Sequence, residues 1–558
     1  MAWLLFINFL INIPITKITF ENNNSINSRE LSQIILSRPK EMYSDFNLIQ
    51  DINRIVRYYN NHGFFNTKVE PETKEIDEHI EIIFKVTEGL RPRIKQIRFL
   101  NGENVNLDKL LEIGRNDFFI QEKIKKTVDQ IEGFYKDKGY AFARVKSRAI
   151  PDSGMLIFDI QKDNVYYINE ITIKGLKFCN PSVIRHEIEI KSGDIYSRKK
   201  ILNSQLRIYR LGFFSTVDID MAKISDDTLN LIFDLRELKS RIFNWGIGIS
   251  LPLSFLISIG LEEMNLFNMG HRFRVQPSFK INIKNEWEAK FDMVYSIPYV
   301  TGLRLSPSIL PFYWYENKQD FNRRSWGTEF RISKIFNENI QANIANKYKY
   351  VHIDMKTELP DTFSGTTNSI KMQLMYDYRN EFFNPRSGIY FVPVIEYAGG
   401  ILGGYNHFVR LETEIRFFQS ILLSKKNILA QRLKTGIIIP TDGVSLDEKY
   451  SLGGQYSMRG YPEKSIGPDS LQDEHYGEVL FNFNIEDRLT FFKNWGLVVF
   501  FDIGYIDNRS EIFRKEFFKA STGIGLRYFT PIGPIRADLG FPVKDQGREL
   551  YLGIYHIF

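Results

Sequence analysis

The pattern of hydrophobic and polar residues changes once along the chain, near residue 241. Upstream, apolar residues recur every three or four positions in three segments, which predicts amphipathic helices. Downstream, apolar and polar residues alternate one by one, as in Trp287–Tyr295, Val409–Phe417 and Val479–Ile485. Such alternation predicts strands with one apolar and one polar face. The chain is therefore expected to hold two regions of different architecture.

Each predicted helix in the first region ends in a similar way, with an aromatic residue shortly before a glycine. These glycines, Gly63, Gly139 and Gly212, recur at a spacing of about 75 residues, and each is expected to end its helix in the left-handed conformation. The predicted buried faces are Ile49, Ile52, Val56 and Tyr59, then Ile124, Val128, Ile131 and Tyr135, then Leu202, Leu206 and Tyr209. A short strand precedes each helical segment and two strands follow it. The order β-α-α-β-β is thus predicted three times, over residues 14–89, 90–163 and 164–238.

This repeated order resembles the POTRA (polypeptide-transport-associated) domain over roughly residues 15–237. Three unrelated α+β modules remain the alternative. A small sheet with helices on one face leaves strand edges open, and an extended chain can add to such an edge through backbone hydrogen bonds. The repeats are therefore expected to handle unfolded protein segments with little sequence preference.

Residues 242–558 are expected to form a transmembrane β-barrel. A soluble sandwich also alternates, but here aromatic residues crowd one face while charges crowd the other. Apolar rings suit lipid and charges suit a wet lumen. Strands of roughly ten residues, with turns and some long loops, allow about 16 antiparallel strands. Closure is expected because unpaired edges in hydrocarbon are costly.

One long glycine-rich segment, residues 440–477, is predicted to fold back into the barrel lumen. It holds Gly453-Gly454 and the sequence Arg459-Gly460-Tyr461. If Phe481, Phe483 and Ile485 face lipid, alternation places Glu486 towards the lumen, and the same argument places Asp502 there. An arginine can bond two carboxylates at once through its planar fork. The expected cluster therefore joins Arg459 to Glu486 and Asp502, either as a brace of the wall or as a moving part.

Five signatures in this order resemble the outer-membrane β-barrel assembly superfamily, which includes BamA-type, TamA-type and two-partner-secretion barrels. Along the chain they are the hairpin 378–388, the loop Arg459-Gly460-Tyr461, the strands 482–486 and 500–504, and the late hairpin 523–538. The resemblance implies a factor that folds and inserts β-barrel proteins into the outer membrane, with its repeats in the periplasm. A TamA-type role for a subset of clients and a two-partner-secretion export pore are the alternatives.

The joint between the first and last strands is the expected lateral seam. Gly246 and Gly248 weaken the first strand, and Pro252 close after it cannot donate to a ladder. The last strand is predicted to run from Leu550 to Phe558 and to close against the first. Leu550, Leu552, Ile554 and Phe558 are expected to share its apolar face. His556 falls on the same face but, at the interfacial end of a strand, it can stay in contact with water and is expected to be tolerated there rather than functional.

Composition narrows the picture further. The chain has 558 residues with 46 Phe and 28 Tyr, and a net charge of +6 that says little about nucleic acid. No apolar stretch reaches the length of a spanning helix. The single cysteine, Cys179, excludes a disulfide within the chain. Residues 1–13 are apolar but lack a basic leader and a small-residue cleavage site, so they are either a degenerate signal segment or a clipped or misassigned start.

No catalytic motif is found. Nucleotide-binding, zinc-protease and C-x-x-C patterns are missing from the sequence, so no enzyme activity, cofactor or metal is expected. The resemblance implies unfolded β-barrel clients and outer-membrane lipid as partners, and no nucleic acid. It leaves open accessory lipoproteins or a partner that spans the periplasm.

Overall fold

A computed structural model describes residues 13–76, 79–102, 107–250, 253–298, 305–356, 362–421, 427–442, 444–471, 473–492, 494–511, 514–530, 533–554 and 556–558. Apart from Ile13, the predicted signal segment lies outside these residues, and so does Pro252. The chain divides into two compact units. One contains residues up to Gly175 with 187–210 and 216–236, and the other contains the remaining residues up to Phe558.

The N-terminal residues form three three-stranded sheets, each accompanied by helices. The first repeat contains β1 (Ile15–Glu21), α1 (Ser28–Ile34), α2 (Asp45–Asn61), β2 (Lys68–Ile76) and β3 (His79–Thr87). The second contains β4 (Gln96–Leu100), a 3-10 turn (Leu107–Leu110), α3 (Gln121–Asp137), β5 (Arg144–Ile150) and β6 (Met155–Gln161). The third contains β7 (Tyr167–Lys174), α4 (Pro181–Glu187), α5 (Arg198–Arg210), β8 (Phe214–Lys223) and β9 (Thr228–Glu237).

The third strand of each repeat lies in the centre of its sheet. The orders are β1-β3-β2, β4-β6-β5 and β7-β9-β8. The first strand of each repeat runs parallel to the central one. Both outer strands are therefore sheet edges. The three glycines predicted to end the long helices all have positive φ angles, between 86° and 103°.

The buried faces of the long helices differ from the predicted ones. In α5 the prediction is wrong, because Leu202, Leu206 and Tyr209 are exposed while Ile201 and Ile208 are buried. In α2 the buried face likewise starts at Leu48 and leaves Ile49 exposed. Even so, Tyr59 of α2 is buried and its Ile52 and Val56 pack against the core, and in α3 most of the predicted residues are buried.

A buried polar residue in the middle of each helix explains the shift. Asp51, Thr127 and Ser204 are all fully buried. The Asp51 carboxylate accepts hydrogen bonds from the backbone amides of Leu36 and Ser37. Thr127 Oγ1 accepts a hydrogen bond from the backbone amide of residue 112 at 3.0 Å. Ser204 Oγ accepts one from the backbone amide of residue 189 at 2.8 Å. A buried amide must find an acceptor, so each helix turns this polar side chain inward at the expense of an apolar one.

The C-terminal residues form one 16-stranded antiparallel sheet in simple chain order. Its strands are β10 (Arg241–Ser250), β11 (Ser254–Leu266), β12 (His271–Asn282), β13 (Trp287–Ser296), β14 (Leu305–Asn317), β15 (Phe321–Ile335), β16 (Ile340–Met355), β17 (Thr362–Asp377), β18 (Gly388–Ala398), β19 (Phe408–Ser420), β20 (Asn427–Pro440), β23 (Val479–Thr490), β24 (Trp495–Asp507), β25 (Phe518–Thr530), β26 (Gly533–Pro542) and β27 (Glu549–Ile554). The short pair β21 (Asp469–Leu471) and β22 (Glu474–Tyr476) lies in the segment between β20 and β23.

The sheet buries its polar face and exposes its apolar face. On β24, Leu497, Val499 and Phe501 point outward and are exposed, whereas Asp502 is fully buried. The first strand β10 lies beside the last strand β27. The sheet is therefore a barrel with apolar residues outside and charged residues inside. Among the described residues, no helix is both long and apolar enough to cross a membrane.

The end of the chain departs from the predicted last strand. β27 ends at Ile554, where it pairs with Ile535 of β26. Leu550 and Leu552 are exposed on the outer face as expected, but His556 and Phe558 are buried. Phe558 packs against Phe418 and Ala430 of β19 and β20. The prediction that Phe558 shares the outer apolar face is therefore wrong, and His556, expected to stay in contact with water, is buried as well, because the chain leaves the wall after β27 and turns into the lumen.

Candidate functional site

The segment between β20 and β23 fills part of the lumen, as its glycines and aromatic residues predict. Tyr450, Leu452, Met458, Tyr461 and Ile466 are buried in one apolar cluster with wall residues of β20, β23 and β24. We refer to residues 441–478 as the inserted loop; Gly443 and Gln472 lie outside the described residues. Burial of this apolar surface holds the loop in place and directs Arg459 at the wall.

Arg459 binds both of its predicted partners. Its Nε and Nη2 donate to the two carboxylate oxygens of Asp502 at 2.9 and 2.8 Å, and Nη1 donates to Glu486 at 2.6 Å. All three side chains are 0% exposed. The guanidinium also lies 3.4 Å from the ring centre of Phe500. One arginine is thus clamped between two neighbouring strands.

The carboxylates around Arg459 keep its guanidinium charged. Burial alone would lower the pKa of Arg459, but Asp502 and Glu486 outweigh burial and raise that pKa above its ordinary value. Asp538 of β26 is a third carboxylate, 3.7 Å from Arg459. The sequence pattern did not single it out, although alternation along β26 places it on the lumenal side. The cluster can hold the loop by charge and is poorly suited to proton transfer.

The residues beside Arg459 reach the last strand. Gly460 packs on the backbone of β26 so closely that a Cβ there would lie 3.0 Å from the Phe541 nitrogen. Its φ of 95° also favours glycine. The hydroxyl of Tyr551 on β27 donates to the Tyr461 carbonyl at 2.7 Å, and Tyr461 donates to Asp545 at 2.8 Å. The loop therefore contacts β27 directly.

A second anchor of the inserted loop, at Glu448, was not predicted. Its carboxylate lies 2.7 Å from Lys349 Nζ and accepts the Thr367 hydroxyl at 2.9 Å. Arg410 approaches it to 3.3 Å. Burial alone would raise the pKa of Glu448, but the surrounding cations outweigh burial and lower it. This anchor binds β16, β17 and β19, which are not the strands, β23 and β24, that bind Arg459.

A third anchor, also not predicted, binds the end of the loop. Glu474 lies 3.0 Å from Arg323 of β15, which in turn lies 2.7 Å from Glu316 of β14. Lys464, within the loop, lies 3.1 Å from the same Glu474 carboxylate. The signal for both missed anchors was present in the sequence as carboxylates within a loop already predicted to be lumenal. What alternation cannot give is which wall strand faces each one.

The predicted seam is the weakest joint of the described barrel. β27 pairs with β26 through six residues, Glu549–Ile554. β10 pairs along its length with β11, but among the described residues no ladder joins β10 to β27. Gly246 and Gly248 lie on β10, and Ile554 ends β27; the Ile554 side chain lies outside the description. Phe558 is not part of the seam wall. Among the described residues, no group of acidic, histidine or cysteine side chains could hold a metal ion.

Three α+β repeats followed by a 16-stranded barrel with an inward-folded, arginine-anchored loop define a class of membrane barrel with POTRA repeats. The Omp85 superfamily domain matches residues 265–555, and the surface antigen variable number repeat (POTRA) matches residues 13–89, 92–163 and 166–238. The chain belongs to the Omp85 superfamily, which confirms the resemblance found in the sequence.

Similar proteins span nearly the whole chain. The outer membrane protein assembly factor BamA of Nitratidesulfovibrio vulgaris is 25% identical over 96% of this chain and 71% of its own length. BamA of Neisseria meningitidis serogroup B is 21% identical over 96% of this chain and 76% of its own.

Solved structures share the fold. BamA from Haemophilus ducreyi lacking POTRA domains 1–3 matches with a TM-score of 0.63 and 19% identity, over 83% of this chain and all of that one. CdiB from Acinetobacter baumannii matches with a TM-score of 0.53 and 15% identity, over 92% of this chain and all of that one.

Proposed function

We propose that this protein is an outer-membrane assembly factor that folds β-barrel proteins and inserts them into the membrane. The relatives that align with nearly its whole length carry the name outer membrane protein assembly factor. The observation that carries the mechanism is the seam, where β10 lies beside a six-residue β27 and no ladder is described between them. The barrel spans the outer membrane, and the repeats lie in the periplasm.

The repeats receive unfolded clients at their sheet edges. In each repeat the first and second strands are the two sheet edges, although in repeats 1 and 3 the start of the first strand, at Ile15 and Ile168, already bonds to the backbone of residues 40–41 and 193–194. An extended client strand can pair there through backbone hydrogen bonds, with little demand on its sequence. Such binding keeps a client extended until it reaches the barrel.

The seam then offers the edge of β10 as a template. A client strand that replaces the short β27 gains backbone hydrogen bonds that lipid cannot supply. Each further strand can pair with the one before it, and burial of the client's apolar face in lipid drives the process. No ATP, cofactor or catalytic side chain is needed.

The inserted loop fits this role in two compatible ways. Its three anchors connect strands of the barrel to one another through the lumen, which compensates for the strand pairing that the described residues lack at the seam. Its contacts with Tyr551 of β27 would also let a change in the loop alter the last strand. The geometry of Arg459 fits both roles, stabilisation of the barrel wall and transmission of a change to β27.

Depletion of the protein from cells tests the function. The expected result is a general loss of barrel proteins from the outer membrane, measured by quantitative proteomics of purified membranes. Loss of a small subset of clients would favour a TamA-type role, and loss of one secreted protein would favour an export pore. An unchanged outer-membrane proteome would contradict the proposal.

A disulfide across the seam tests the mechanism. Ile247→Cys with Leu550→Cys, two positions exposed on the outer face of the barrel at the same end of their strands, should cross-link β10 to β27 and stop client insertion, with activity restored by reduction. The matched control is Ile247→Cys with Ile257→Cys, which joins register partners on β10 and β11 and leaves the seam free. Full insertion by the seam-locked protein would show that clients do not enter there.

Partners are proposed on the same basis. Unfolded β-barrel clients and outer-membrane lipid are required by the mechanism. Accessory lipoproteins or a periplasm-spanning partner would bind the repeats, and purification from membranes after mild cross-linking would identify them. Recovery of the chain with clients alone would argue against them.

A further inference from the structure

Arg488 is a buried arginine outside the predicted cluster that makes two separate contacts. It lies on β23, two residues after Glu486, and its side chain is 4% exposed. Nε donates to Glu486 Oε2 at 2.7 Å. Nη2 donates to the Phe558 carbonyl oxygen at 3.1 Å. One side chain therefore joins the barrel wall to the inward-turned end of the chain.

Residues 556–558, which we call the tail, are held in the lumen by more than this bond. The Phe558 ring lies 6.4 Å from the ring of Phe418, and the Arg488 guanidinium lies over both rings, at 5.1 and 5.7 Å from their centres. His556 Nε2 lies 3.3 Å from the Asn384 side-chain oxygen in the turn between β17 and β18. The tail thus reaches strands on the far side of the lumen from β27.

Glu486 connects the tail to the inserted loop. Its Oε1 accepts from Arg459 of the loop at 2.6 Å, and its Oε2 accepts from Arg488 at 2.7 Å. A carboxylate that has lost one arginine reorients towards the other, because a buried charge must keep a partner. Movement of Arg459 therefore changes how Arg488 is held, and Arg488 determines where Phe558 lies.

We infer that Arg488 is a positioning residue that latches the tail to the loop anchor, so that release of the loop frees the end of β27. Whether this latch affects client entry rests on the proposed function. The latch itself rests only on the contacts of Arg488 with Glu486 and Phe558. A pinned tail keeps β27 short, because the chain cannot extend along β26 past Ile554. A free tail can extend, and β27 can then shift against β10.

The rate of thiol labelling at the tail measures the latch directly. Ile557→Cys places a thiol at a position that is 7% exposed, and purified full-length protein in lipid vesicles is treated with a water-soluble maleimide. Labelling of a buried thiol reports how often the site opens. The native Cys179 gives a low background, because burial raises the pKa of its thiol to about 12. Labelling is read only in the compact gel band of folded barrel.

Arg488→Gln should accelerate labelling by about tenfold or more, as expected when a buried contact that keeps a site closed is removed. Arg459→Ala should also accelerate it, because the two arginines share Glu486. The matched control is Arg331→Gln, which removes a lumenal arginine of β15 whose carboxylate partner, Glu329, belongs to neither the inserted loop nor the tail. This control should label at the parent rate.

Two results would overturn the inference. Equal rates for Arg488→Gln and Arg331→Gln would show that Arg488 does not hold the tail. A parent rate for Arg459→Ala would show that the loop and the tail are independent. If Arg488→Gln yields no compact band, Arg488→Lys replaces it; lysine keeps the charge but lacks the fork that serves two partners, so an intermediate rate is expected. No client is involved, so these outcomes are separate from those of the insertion assays.

Discussion

At the scale of single residues, buried charge inside the barrel decides most of what the wall can tolerate. Arg459, Glu486 and Asp502 are all inaccessible to solvent. Buried ion pairs contribute little net stability when intact, but removal of one partner leaves the other charge uncompensated. Substitutions at these positions should therefore be far more damaging than substitutions of exposed charges.

Arg459→Ala should lower the temperature at which the barrel loses its compact form in a heat-shift gel. It leaves the buried Asp502 without its arginine and takes one of two hydrogen-bonded arginines from Glu486, and breaking such a buried pair costs about 3–5 kcal/mol. Arg509→Ala, at an exposed position in the turn after β24, is the control and should behave like the parent protein. A parent-like midpoint for Arg459→Ala would show that the loop is not held by this side chain.

Gly460→Ala should displace the loop tip without removing any charge. The left-handed backbone alone costs an alanine about 1–2 kcal/mol, and the new methyl group would meet the Phe541 nitrogen at 3.0 Å. Gly547→Ala separates these effects, since Gly547 also has positive φ but has open space around it. Protease sensitivity of the loop should rise in Gly460→Ala and stay low in Gly547→Ala. Equal sensitivity would mean that only backbone strain matters.

At the scale of elements, the hydrophobic pattern predicted which segments are helices and strands better than it predicted their orientation. Alternation placed Glu486 and Asp502 inside the barrel because every strand residue must face one of two sides. A helix offers a continuum of faces, and in α5 the buried hydrogen bond of Ser204 outweighed the apolar stripe through Leu206. The tail was missed for a related reason: alternation continues through Phe558, but a strand needs a partner, and pairing with β26 ends at Ile554.

The orientation of α5 can be tested in the isolated repeats. A fragment of residues 13–238 is expected to be soluble, with mixed helix and strand in its circular dichroism spectrum. In it, Ile208→Ala should lower the free energy of unfolding by about 2–5 kcal/mol, because it leaves a cavity in the core. Leu206→Ala should change it by no more than about 0.5 kcal/mol, as is usual at exposed positions. Urea unfolding measures the free energy of unfolding of each variant. A larger loss for Leu206→Ala than for Ile208→Ala would show that α5 buries the face predicted from the sequence.

At the scale of the whole molecule, the inserted loop ties together walls that are far apart in the sequence. Glu448 binds side chains of β16, β17 and β19. Arg459 binds carboxylates of β23 and β24, and Glu474 binds Arg323 of β15. Each anchor is ionic, so acid should loosen all of them as carboxylates become protonated. The stability that the inserted loop gives the barrel is therefore expected to depend on pH.

Acid should weaken this stabilising effect in a defined range. Burial alone would raise the pKa of Glu474, but Lys464 and Arg323 outweigh burial and lower it to about 2. Because this pKa lies below the ordinary value in the unfolded chain, the stabilisation is complete above that value and is lost as the pH falls through about 2. The gel midpoint should therefore fall steadily below about pH 4.5, and Glu474→Gln should flatten that fall. An unchanged pH profile in this variant would exclude Glu474 as a source of acid sensitivity.

The loop acts as one body only if its anchors are energetically coupled. Variants at distant sites with no shared partner normally add within about 0.5 kcal/mol, and Arg459 and Glu448 share none. If the loop docks as a unit, however, the total loss cannot exceed its docking free energy, so Arg459→Ala combined with Glu448→Gln should shift the gel midpoint by less than the two single shifts together. Arg379→Ala removes an arginine that binds Asp377 outside the loop, and its combination with Arg459→Ala should be additive. Additive shifts in both combinations would mean that each anchor braces only its own wall, and that release at Arg459 cannot propagate through the loop.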